Sequence, residues 1–196
     1  MAFSLLFPAM THAQQPCTED AILVFDASKS MAAAAGDNTG LRRIDAVRSA
    51  LARVLPRVAP KRRLGLIVYG PGSRPACVNV ALEFRPLINA SERIMARLDE
   101  LKPDGRTPLT RAVRLAAEVL DFRSRPVTIV LLTDGEETCD GAPCALAKTL
   151  KAEGGAHHRA RHQLPHRQRH RIGGCVRLAL HCRRDGWHLR GHEYGG

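Results

Sequence analysis

The sequence predicts a three-layer, doubly wound, Rossmann-like α/β fold, and three observations carry that expectation. Residues 21–25, 64–69 and 127–132 are short, predominantly apolar runs, the pattern of strands buried on both faces of a mostly parallel sheet. The segments between them place apolar residues at helical spacing. Strands and helices therefore alternate, the order that lays helices on both faces of one sheet. A chain of 196 residues is long enough for one such domain with a sizeable core.

Residues 1–13 read as a signal peptide with a truncated start. A short apolar core runs into Thr11 and Ala13, small residues at the positions before a signal-peptidase cut, while the positive flank is missing. A peripheral apolar tail is the competing reading. Cleavage near Ala13 implies an exported chain, periplasmic or extracellular, and no stretch is long enough to span a bilayer. The domain proper covers residues 17–155. Its first strand runs straight into Asp26, with Ser28 and Ser30 at alternate positions beyond. After a polar loop at 36–40, residues 41–58 set Ile44, Val47, Leu51, Val54, Leu55 and Val58 on one helical face. Pro56 frays the last turn and Pro60 stops it.

Residues 64–69 form a second buried strand, and Gly70-Pro71-Gly72 turns the chain. Residues 78–84 follow after so short a link that they run antiparallel, as an edge strand. Ser91 caps a helix through Ile94, Met95, Leu98 and Leu101. Thr107-Pro108 starts another, with Pro108 at the first helical position. Pro126 precedes the strand at 127–132, which ends in Thr133-Asp134-Gly135-Glu136-Glu137. A last helix occupies residues 145–153, stopped by Gly154-Gly155.

Ligands of open α/β sheets bind beyond the carboxyl ends of the strands. Asp26, Ser28 and Ser30 stand there, three oxygen side chains able to converge on one hard cation. Singly, a Ser or Thr at such a place is most often a cap, and Asp134-Gly135 most often a turn. Together, Asp26-x-Ser28-x-Ser30, then Thr107 on a loop entering a helix, then Asp134-Gly135 after a strand, resemble the von Willebrand factor type A (VWA) domain and its metal-ion-dependent adhesion site. The likeness covers roughly residues 21–155. It is nearest to exported bacterial members with a Cys-containing loop after that Asp.

The resemblance implies that Ser28, Ser30 and Thr107 touch the metal directly, while Asp26 and Asp134 act through water and hold the hydroxyls. The cation implied is Mg²⁺, or Mn²⁺ or Ca²⁺ in its place. Mg²⁺ takes about six oxygens near 2.0–2.1 Å, and hydroxyls bind it without neutralising it. The open position then attracts an Asp or Glu carboxylate from a partner protein. That is recognition, with no bond broken and no enzyme implied. Lys29 departs from the family, which commonly has Gly between the two Ser. It either points to solvent, weakens the cation, or helps to hold an anionic partner. Glu136 and Glu137 read as solvated loop acids.

Six Cys (17, 77, 139, 144, 175 and 182) suggest disulfides in an exported chain. Cys139 and Cys144 can close a small local bridge. Zinc competes only weakly, because no second Cys or His pair stands at a suitable spacing in the domain.

The formal charge is +11, which normally marks a nucleic-acid or anionic-surface binder. Its distribution argues otherwise. Residues 155–196 hold nine Arg, two acids and eight of the nine His, a net of +7 that leaves +4 for the first 154 residues. After Gly155 the family supplies another buried strand and at least one more helix, but here residues 156–196 show no strand-like apolar run until Cys175 to Cys182. A His/Arg-rich nucleic-acid or metal arm, a solvated disordered extension and translation out of frame compete.

Composition favours the third. Synonymous codons for His157 to His162, shifted by one base, read Thr-Ile-Val-His-Val-Ile, a buried-strand pattern. The continuation can give a Gly-Gly-x-Tyr element like the family's closing strand. A single-base insertion or deletion near codon 156 is therefore expected, with the C-terminal strand or strands missing or disrupted and the tail disordered. Resequencing the locus checks this. An intact frame through the tail, with no apolar strand one base away, sinks it.

Two other functions compete. A phosphatase-type α/β hydrolase also sets an acid after its first strand, but it wants a second acid where Ser28 stands and no catalytic Lys is clearly placed. Nucleic-acid binding by the basic tail lacks aromatic interleaving, with only Trp187 and Tyr194 there. No phosphate-cradling Gly-Lys-Ser/Thr loop occurs.

Overall fold

The computed structural model describes residues 20–35, 40–72, 74–125, 127–161, 181–183 and 186–188. The expected leader at 1–13 lies outside the described residues, as does most of the tail. The elements are β1 (Ala21–Asp26), α1 (Arg43–Val58), β2 (Leu64–Tyr69), β3 (Val80–Leu87), α2 (Ser91–Asp99), α3 (Leu109–Val119), β4 (Thr128–Leu132), α4 (Pro143–Arg161), β5 (His181–Arg183) and β6 (Gly186–His188).

The main sheet has the order β3-β2-β1-β4. β1 runs parallel to both β2 and β4, and β3 pairs antiparallel with β2. This is the mostly parallel α/β sheet with one antiparallel edge that the apolar runs predict. β1 is central and buried along its whole length. Alternate side chains of a strand go to opposite faces. Leu23 and Phe25 pack with Leu51 and Leu55 of α1 and Ile94 and Leu98 of α2. Ile22 and Val24 pack with Leu109, Val113 and Ala116 of α3 and Leu146 of α4. Each large apolar side chain buried this way contributes about 1.5–3 kcal/mol. Arg48 ties α1 to the end of α2, donating to Leu98 O and Leu101 O.

Several element ends differ from the sequence reading. β3 starts at Val80 and runs to Leu87, because Cys77 is drawn off the sheet into a disulfide and an edge strand tolerates Pro86. Ser91 is the first residue of α2, not its cap, and makes no capping hydrogen bond. α3 begins at Leu109, with Pro108 just outside. α4 runs through Gly154-Gly155 to Arg161. A helical Gly costs only about 1 kcal/mol relative to Ala, and the next Pro comes only at 165.

No further strand pairs with β4 among the described residues, and of its side chains only Leu131 is fully buried. Beyond Arg161 the described residues form one short hairpin, β5 with β6. No helix among them is long and apolar enough to cross a membrane.

Candidate functional site

The carboxyl ends of β1 and β4 meet the loop entering α3 and the first turn of α1 at one edge of the sheet. Asp26, Ser28 and Thr107 are buried there, Asp134 is half-buried and Ser30 is exposed. Asp26 Oδ1 accepts the Ser28 backbone N–H at 2.8 Å, and Oδ2 accepts the Thr133 hydroxyl at 2.6 Å. The Ser28 and Ser30 hydroxyls lie 3.0 Å apart, and Ser30 Oγ donates to Asp134 Oδ1 at 2.9 Å. Four of the five expected residues thus form one hydrogen-bonded chain. Thr107 joins them by lining the same depression, of about 420 Å³, with Ser28 and Ser30.

Backbone contacts set the depression's shape. Lys29 N–H donates to Gly105 O and Asp104 N–H to Ala27 O, so the loop before α3 is sewn onto the end of β1. Gly105 has φ +76°, and a Cβ there would lie 2.1 Å from Gly70 O. Gly70 has φ +112°, and its Cβ would lie 2.5 Å from Ser28 N. Three loops therefore interlock backbone to backbone, a fit that only Gly permits.

Several functional neighbours escape a reading of the sequence. Arg43 pairs with Asp134 Oδ2. Thr138 clamps Thr107: its Oγ1 accepts Thr107 N–H at 2.8 Å, and its own N–H donates to Thr107 O at 3.2 Å. Glu137 is not a solvated acid. Its carboxylate accepts the N–H of Thr110 at 2.7 Å and of Cys139 at 2.9 Å, so it caps the first turn of α3. The proximity of an acid to a helix start 27 residues away along the chain has no signal in the sequence. Glu136 is exposed, as expected. Lys29 is exposed too.

Beneath the site Tyr69 is wholly buried, and its hydroxyl has no hydrogen-bond partner. Burial first, then the negative field of Asp26, pushes its pKa up.

Cys139 bonds Cys77, which excludes the local Cys139–Cys144 bridge. The turn before β3 folds over the loop after β4, within reach of one sulfur–sulfur bond. Cys144 is disulfide-bonded as well.

The donor set fits a hard divalent cation. Among the described residues no three His, Cys, Asp or Glu side chains gather, so the oxygens at this edge come from three hydroxyls and two carboxylates. In an octahedron with metal–oxygen bonds of about 2.1 Å, adjacent oxygens stand about 3.0 Å apart. The Ser28–Ser30 separation of 3.0 Å matches that spacing.

The family pattern of the von Willebrand factor type A domain matches residues 21–137. The chain belongs to the VWA family. The match begins with β1 and takes in all five oxygen-bearing residues, but stops short of Cys139 and α4. The protein YwmD of Bacillus subtilis (strain 168) is 30% identical over 166 residues, 78% of this chain and 70% of that one. Among solved structures, the pilus adhesin SpaC of Lactobacillus rhamnosus GG is similar at a TM-score of 0.48 and 21% identity, over 64% of this VWA chain and 16% of the adhesin. The minor pilin PilB of Streptococcus sanguinis is similar at a TM-score of 0.42 and 26% identity, over 60% of this chain and 30% of the pilin. The chain thus spans only a small part of the length of these two proteins.

Proposed function

We propose that this VWA domain is a divalent-cation-dependent protein-binding module and not an enzyme. Ser28, Ser30 and Thr107 would hold Mg²⁺, or Mn²⁺ or Ca²⁺, with Asp26 and Asp134 behind them. When bound, the cation supplies an open coordination position that a partner's Asp or Glu carboxylate fills. Asp26 fixes the Ser28 backbone and, through Thr133, the end of β4. Asp134 orients the Ser30 hydroxyl and is itself steadied by Arg43. The observation that carries the reading is the chain from Asp26 through Ser28 and Ser30 to Asp134, which joins residues from two separate strand ends. No nucleophile paired with a base is needed to explain any of these contacts.

Export to an oxidising compartment is supported by the Cys77–Cys139 disulfide, a bond that persists in such spaces.

Titrating Mg²⁺ into the full chain while following thermal unfolding tests the metal. Wild type is expected to gain about 2.7 kcal/mol at a hundredfold excess over the dissociation constant, and Asp26→Ala to gain nothing. Equal gains in both proteins, or none in wild type, would refute the site.

A further inference from the structure

A second cavity lies beside the metal edge. It is a groove of about 550 Å³ between α3, the turn carrying Cys77 and the loop after β4. That volume falls within the range of about 300–1,000 Å³ typical of ligand sites. Its walls are fixed by bonds already described: the Cys77–Cys139 disulfide, and Glu137 gripping the backbone of Thr110 and Cys139. Gly141 closes the far side so tightly that a Cβ there would lie 2.3 Å from the Thr110 hydroxyl and 2.4 Å from Glu137.

The groove is cationic. Arg74, Arg111 and Arg114 line it, and all three are exposed. None of their guanidinium groups has an ion pair or hydrogen bond among the described residues. Of the two acids present, Glu137 is spent on backbone N–H groups, which leaves Glu118. The Thr110 hydroxyl is buried in the groove wall and has no partner. Like charges held together in a rigid cavity repel one another, and a carboxylate ligand relieves that repulsion. The planar guanidinium pairs with carboxylates through two parallel hydrogen bonds.

The groove and the metal depression share a wall. Thr107 and Thr138 line the depression, and their chain neighbours Pro108 and Cys139 line the groove. A second copy of a chain with net charge +11 is a poor occupant on electrostatic grounds.

We propose that the groove seats an acidic segment of the same protein partner. Recognition then has two points: one partner carboxylate at the metal edge, and further Asp or Glu side chains on Arg111 and Arg114. Only the first point rests on the metal reading above.

The test is a methyl NMR titration of the full chain with a hexa-aspartate peptide in metal-free buffer without chelator. The methyls of Val78, Val80 and Leu115, which line the groove, are expected to shift and saturate. Arg111→Ala/Arg114→Ala is expected to weaken that binding by about tenfold, as loss of charge-assisted contacts requires. Arg53→Ala/Arg57→Ala, which removes the same charge from exposed positions on α1, is expected to leave it within about twofold. Groove methyls that do not move, or equal weakening by both double variants, would overturn the proposal. Because this titration contains no metal, its outcome is independent of the Mg²⁺ test above, so failure of the metal site and failure of the groove are told apart.

Discussion

Replacing both Cys77 and Cys139 by Ser is expected to cost this domain about 4 kcal/mol, the loop-closure entropy released when a cross-link between residues 62 apart is cut. Urea unfolding of the two proteins measures it. The effect should also be local. Cys139 follows Thr138, whose backbone and hydroxyl hold Thr107, and Glu137, which holds the first turn of α3. With the tether cut, the amides of Thr107 and Thr110 are expected to exchange with solvent faster than those of β1, whose hydrogen bonds lie in the sheet centre. A loss below about 1 kcal/mol, far under the loop-closure figure, together with unchanged exchange at Thr107, would show that the clamp stands without the sulfur bond.

Gly105→Ala is expected to be nearly as damaging through a single methyl group. The left-handed conformation alone costs a non-Gly residue about 1–2 kcal/mol. The methyl would also stand 2.1 Å from Gly70 O, a backbone atom that no rotamer change can move aside. The Lys29–Gly105 hydrogen bond must then stretch, and the Ser28 and Ser30 hydroxyls lose their common position. A total near 3 kcal/mol is expected, about the range of core overpacking.

Gly40→Ala is the matching control. Gly40 has φ +69°, but a Cβ there would meet no atom within 4 Å. It is expected to show the conformational cost of about 1 kcal/mol alone. If the two variants unfold at the same urea concentration, the interlock of the three loops is not a source of rigidity.

The sheet is legible because its signal is local. An unbroken apolar run such as Ile22 to Phe25 has no other economical place than a central strand, and the short link between residues 69 and 80 forces the antiparallel edge. The five oxygen-bearing residues are legible for the same reason. Each follows a strand end or precedes a helix start, and topology alone brings those ends to one edge. What stays hidden depends on distances across the chain. Nothing near Glu137 tells that its carboxylate meets the start of α3, or near Arg43 that it reaches Asp134. The local bridge is the wrong pairing because Cys139 and Cys144 are close in sequence, whereas Cys77 is close in space. At Gly154-Gly155 the residues look like a helix stop, but a continuing helical backbone outweighs a modest propensity.

Tyr69 makes the candidate site observable without any label. The chain has one other Tyr, at 194, and a single Trp, at 187, both outside the domain. Inside it, one phenol is held rigidly in the floor of the site, beside Asp26 and wholly shielded from water. A ring fixed in an asymmetric packed environment gives a near-ultraviolet circular dichroism signal that vanishes when packing loosens. The Tyr69 contribution to that signal therefore reports the packing beneath the candidate site.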